Sequence, residues 1–132
     1  MADDFGVVVS AGSLRSGDEH AVRFPHRWTP EGVTVKADFT GAHLLHLAAA
    51  GCVLNDLYRE AAGLGITLDG ARVTASGGFD TGNWESTGIG YSVTLDSAAP
   101  AADLDRLLDV VDEVAEIPRA LRAGASVGRR TR

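Results

Sequence analysis

The spacing of hydrophobic and polar positions changes character along the chain. Before residue 40 the apolar residues come in short runs: Val7, Val8 and Val9, then AVRF at 21–24, then GVTVKADF, where Val33, Val35, Ala37 and Phe39 alternate with their neighbours. Period two is the signature of half-buried strands. The intervening SLRSGDE (13–19) and WTPEG (28–32) carry the Gly, Pro, Asp and Ser that turns require. Residues 1–39 are therefore expected to form a strand meander.

After Phe39 the spacing becomes helical. Thr40 suits an N-cap and Gly63 or Gly65 a C-terminal stop, which predicts a central helix over 41–63. From Leu44 to Leu54 this helix is apolar on nearly every side, whereas Asp56, Arg59 and Glu60 offer a wet face beyond it. RVTASGGF (72–79) and GIGYSVTL (88–95) alternate again, and DTGNWES joins them into a hairpin within 70–96. Residues 100–124 predict two helices. In the first, Leu104, Leu107, Leu108, Val111 and Val114 form a buried stripe, and Asp103, Asp105, Asp109 and Asp112 a solvated face. The second is opened by Pro118 and closed by Gly124, and Ala125–Val127 is a candidate last strand at the head of the 125–132 tail.

Strands grouped apart from helices argue for an α+β fold with an antiparallel sheet, as one domain over 1–132. A helix apolar all round is hard to cover in a chain of 132 residues, which predicts that a second subunit supplies the other wall. The formal charge of −6 disfavours a nucleic-acid partner, and the basic RRTR at 129–132 reads as a solvated end. The run from Leu44 to Leu54 is far shorter than the ~20 residues of a membrane span. MADDFGVVVS lacks the charge pattern of a secretory leader, and one cysteine forms no intrachain disulfide; a cytoplasmic location is expected.

That cysteine is Cys52. It would lie ~18 Å along the central helix at ~1.5 Å per residue, beyond help from the helix dipole. On the helix wheel it shares a face with Ala48, Asn55 and Asp56, while His43 and His46 point elsewhere. Asp56 would raise the thiol pKa, so reactivity needs a cation distant in sequence. Otherwise Cys52 is a small core hydrophobe. His43 and His46, three apart, could bind a metal with ligands from elsewhere, act as acid or base, or line a pocket or subunit contact. Trp28, Trp84 and Tyr91 could wall an apolar ligand or simply pack. No phosphate loop or Ser-His-Asp order is evident, and no cofactor or metal is expected.

The segment GAHLLHLAAAGCVLNDLYREAAGLGITLDGARVTASGGFD resembles the central region of the OsmC/Ohr family, and DLDRLLDVVDEVAEIPRALRAG resembles its second helix; the likeness covers about residues 33–127. The resemblance implies an intertwined homodimer of α+β subunits built on a long buried helix. In characterised branches it implies thiol-dependent reduction of organic hydroperoxides or hydrogen peroxide. Cys52 matches the peroxidatic position, and Arg15 in "LRSG" matches the arginine that stabilises the thiolate, with Arg23 and Arg27 as weaker candidates. Two family residues are missing. The resolving cysteine falls on Ala115 or Glu116, and the carboxylate ten residues before the reactive cysteine falls on Ala42, beside His43.

The expectation is therefore a one-Cys thiol peroxidase acting on a small apolar hydroperoxide. Cys52 and Arg15 would be catalytic, and His43, His46 and Glu116 would stand at a possible pocket. An external low-molecular-weight thiol or dithiol would be the reductant. The alternative is a noncatalytic module of the same fold that binds an apolar small molecule at the dimer interface.

Overall fold

A computed structural model describes residues 4–131. The strands are β1 (Val7–Gly12), β2 (Val22–Phe24), β3 (Val33–Lys36), β4 (Gly70–Phe79) and β5 (Ser86–Asp96). The helices are α1 (Gly41–Leu64), α2 (Ala101–Val114) and α3 (Glu116–Ala123). All strands join one antiparallel sheet in the order β2-β3-β1-β4-β5.

This order corrects the expected meander. β1 does not pair with β2; it lies between β3 and β4, placing Val9 opposite both Val35 and Val73. Three buried valines, Val7, Val9 and Val73, thus occupy the centre of the sheet, and the exposed three-residue β2 takes an edge. The third strand stops at Lys36, and Phe39 is 90% exposed. The backbone there turns into the cap of α1, where Thr40 Oγ1 accepts from His43 N–H.

α1 runs to Leu64, and its stop is Gly65, at φ 71°, rather than Gly63. Its buried face carries Ala50, Val53, Leu54, Leu57 and Ala61, packed on Val7, Val9, Ala11, Val73 and Ala75 of the sheet. Leu107 and Val111 of α2 join the same core. Its remaining apolar face is open within the chain: Leu44 and Ala48 are exposed, and Leu47, Gly51 and Cys52 partly so.

In the β4–β5 hairpin Val73 faces Val93 and Ala75 faces Tyr91, with an irregularity between Gly77 and Phe79. A side chain on Gly77 would collide with the Gly88 carbonyl and crowd the ring of His46, so glycine is required there.

Two C-terminal expectations are corrected. α3 begins at Glu116, with Pro118 inside its first turn, where no N–H is needed. The candidate strand at Ala125–Val127 does not form: Gly124, at φ 77°, turns the chain away, no sheet edge receives the segment, and Val127 is 94% exposed. Of the basic tail, Arg132 lies outside the described residues, as do residues 1–3 of the first segment.

Candidate functional site

Helical spacing puts Cys52, Asp56 and Arg59 on one stripe of α1, at i, i+4 and i+7. The turn between α2 and α3 lays Glu116 across that stripe. The Cys52 thiol donates to Glu116 Oε2 at 3.4 Å, and the Ile117 backbone N–H also reaches the sulfur. Arg59 Nη1 donates to Glu116 Oε1 at 2.9 Å, and Arg59 Nη2 lies 3.1 Å from Asp56 Oδ2. One guanidinium therefore bridges two carboxylates, and the two carboxylates flank one thiol.

The electrostatics follow from this arrangement. The hydrogen bond from Arg59, helped by Glu116's own backbone N–H and the Cys52 thiol, holds the Glu116 carboxyl down to about 2. Asp56 is 2% exposed, and burial pushes its carboxyl up to about 6; Arg59 opposes that shift and the Glu116 charge adds to it. Cys52 is partly buried, and burial raises its thiol pKa. The Ile117 N–H works against that rise, while the Glu116 hydrogen bond and both neighbouring carboxylates reinforce it. Within the chain, burial and the two carboxylates thus favour the protonated thiol.

Of the residues singled out in the sequence, Glu116 meets Cys52 directly. Arg15 does not meet it within the chain: its guanidinium folds back onto its own turn, Nε donating to Gly12 O at 3.1 Å. The cation at the cluster is Arg59. Arg23 is spent on the Glu31 carbonyl, and Arg27 lies over the Trp28 ring.

His43 and His46 form a separate group at the start of α1. His43 Nδ1 is 2.6 Å from Thr40 Oγ1, with the Phe5 ring edge-on to its imidazole. His46 is fully buried; it donates from Nδ1 to Phe5 O at 3.0 Å and stacks on Phe79, while its Nε2 has no hydrogen-bond partner. Neither histidine shares the Cys52 site.

Two apolar cavities flank α1. One, of about 280 Å³, is lined by Leu45, Ala49, Ile89, Tyr91, Pro118 and Leu121. Leu45 and Ala49 lie on the Cys52 side of the helix, and Pro118 follows the residue whose N–H reaches the sulfur. The other, of about 320 Å³, lies against the β2–β3 connection and includes Phe24, Trp28, Leu47 and Gly51. There His26 ties the connection to α1 through Asn55, Nε2 to Oδ1 at 3.0 Å. Trp28 and Tyr91 thus do line cavities, whereas Trp84 is 71% exposed near the hairpin tip.

The sequence reading missed Arg59 and the pairing of Glu116 with it. Arg59 was legible as an i+7 neighbour of Cys52; the approach of Glu116 is a tertiary fact that no local pattern carries.

A long helix bearing one cysteine, packed on an antiparallel sheet and crossed by a short helix at the sulfur, defines an OsmC-type fold. The family model described as OsmC-like protein matches residues 34–128, and the chain belongs to that family. It is similar to the crystal structure of an OsmC-like protein from Mycoplasma pneumoniae, with TM-score 0.58 and 13% identity over 81% of this chain and 89% of that one. It is similar also to an OsmC-like hydroperoxide resistance protein from Jannaschia sp. CCS1, with TM-score 0.53 and 14% identity over 97% and 94% of the two chains. No curated protein matches the sequence.

Proposed function

We propose that the chain is a one-Cys, thiol-dependent peroxide-reducing protein that works as a homodimer. The observation that carries this reading is the placement of its one cysteine, partly exposed on the central helix where α3 crosses it, beside an apolar cavity. The thiolate of Cys52 attacks a peroxide oxygen; the O–O bond breaks, the sulfur becomes a sulfenic acid, and the alkoxide leaves as alcohol on taking a proton. A low-molecular-weight thiol then forms a mixed disulfide with release of water. A second thiol frees Cys52 and carries away the disulfide. The apolar cavity suits the organic part of a hydroperoxide. The dimer reading rests on the outer α1 face, where Leu44 and Ala48 are exposed. Arg15, exposed on the turn after β1, acts on a sulfur only across such a subunit contact.

The test is consumption of cumene hydroperoxide with dithiothreitol as reductant. Turnover that disappears in Cys52→Ser supports the reading; equal rates in the two proteins refute it.

One observation favours a noncatalytic module that binds an apolar small molecule: the side chain that touches the sulfur is a carboxylate, and its charge and that of Asp56 disfavour a thiolate. That reading predicts slow alkylation of Cys52 at pH 6 in every state of the protein.

A further inference from the structure

The surroundings of Cys52 pull in opposite directions. The Ile117 N–H at the start of the eight-residue α3 favours an anion at the sulfur. The side chain that touches it is a carboxylate, and that same carboxylate holds Arg59.

The three side chains differ in freedom. Asp56 is buried and fixed on α1 one turn beyond the thiol, and it anchors Arg59. Glu116 is the first residue of α3, with 61% of its side chain exposed, so rotation about its own bonds takes the carboxylate into water without moving the backbone. When it leaves, Arg59 keeps Asp56 as its anchor and loses the carboxylate that bridges its Nη1 to the thiol.

We propose that Glu116 is a gate on Cys52: seated, it keeps the thiol protonated and occupies Arg59; swung out, it releases Arg59 to stabilise the thiolate. Opening exchanges the hydrogen bonds of Glu116 to Cys52 and Arg59 for bonds to water, the only covalent bond broken is S–H, whose proton goes to water, and the two states differ in the rotamers of Glu116 and Arg59. The charged groups facing the thiol and its cation are Asp56 and Glu60 from α1 and Glu116 from α3. Arg59 and Glu116 are positioning residues. The inference rests on the reading of Cys52 as the reacting atom, and it does not require that a peroxide be the reactant.

The experiment is the rate of Cys52 alkylation by iodoacetamide, read by intact mass between pH 5 and 10. It compares the unaltered protein with Glu116→Gln, Arg59→Gln and the double variant. Both residues are more than a third exposed, so folding is retained, and circular dichroism checks it. Glu116→Gln should lower the midpoint of the profile by on the order of one pH unit and speed labelling at pH 7 about tenfold. Adding Arg59→Gln should remove the part of that gain that the freed guanidinium supplies, leaving labelling slower than in Glu116→Gln. A Glu116→Gln profile that is unchanged or moved upward overturns the gate, as does a double variant that reacts as fast as Glu116→Gln. Alkylation uses no peroxide: the expected profiles in a protein inert to peroxide would refute the proposed function and leave the gate standing.

Discussion

Asp56→Asn offers a direct measure of what the cluster costs the fold. A free aspartate ionises near 3.8 and Asp56 in the folded protein near 6, so the unfolded chain gives up this proton first. Below about pH 4 both states hold the proton and the group carries no penalty. Between 4 and 6 the unfolded state loses it while the folded state keeps it, and stability falls as pH rises; above 6 the loss is complete. A difference of about 2 pH units corresponds to a ceiling of about 3 kcal/mol. The partly exposed Arg59 and Glu116 screen part of that, and the variant gives up its ion pair with Arg59, which brings the expected gain at pH 7.5 to about 1–2 kcal/mol. In a chain of this size that is an increase in Tm of about 4–8 °C. Thermal unfolding of both proteins at pH 4 and pH 7.5 is the assay. Asp56→Asn should be the more stable at pH 7.5, with most of the advantage gone at pH 4. An equal gain at both values, or a loss at pH 7.5, would refute the claim that burial of an ionised carboxyl destabilises the fold here.

Three further outcomes test the architecture. Leu57→Ala, at a fully buried position between α1 and the sheet, should cost about 2–5 kcal/mol in urea unfolding. Thr40→Ala removes the acceptor for His43 N–H and should cost about 1 kcal/mol without changing the denaturant slope. Leu44→Asp places a charge on the open face of α1; sedimentation should show monomer for this variant and dimer for the unaltered protein. A dimer that survives that charge would move the subunit contact to another surface.

The order and type of most elements could be read from periodicity because each carries its own pattern: β4 and β5 alternate, and α2 has one apolar stripe above an acidic face. Strand order could not. The runs at 7–9 and 33–36 have no turn chemistry that says which neighbours they take, and the central place of β1, with Val9 opposite both Val35 and Val73, is a long-range pairing. The last three-residue strand candidate failed for the converse reason, since alternation over so short a stretch carries no partner. At the site, the contribution of Asp56 followed from a four-residue separation along a helix, whereas Arg15 rested on likeness to a family turn. That turn closes on itself, with the guanidinium bonded to Gly12 O. Local geometry was the safer guide because it needs no alignment across a variable hairpin.

Glu116 changes what the missing resolving cysteine means. An alanine at the crossing of α3 and α1 would leave the thiol bare, with the Ile117 N–H and an unoccupied Arg59 both drawing it toward ionisation. A glutamate does the opposite on two counts: it accepts the thiol proton's hydrogen bond and it engages the cation. The buried Asp56 beneath would then be a liability to folding with no structural return, were it not also the anchor that holds Arg59 beside the carboxylate touching the sulfur. A carboxylate held above its ordinary pKa, a guanidinium shared between two acids and a single thiol at their focus make an unfavourable arrangement for stability. They make a serviceable one for a sulfur whose ionisation is conditional.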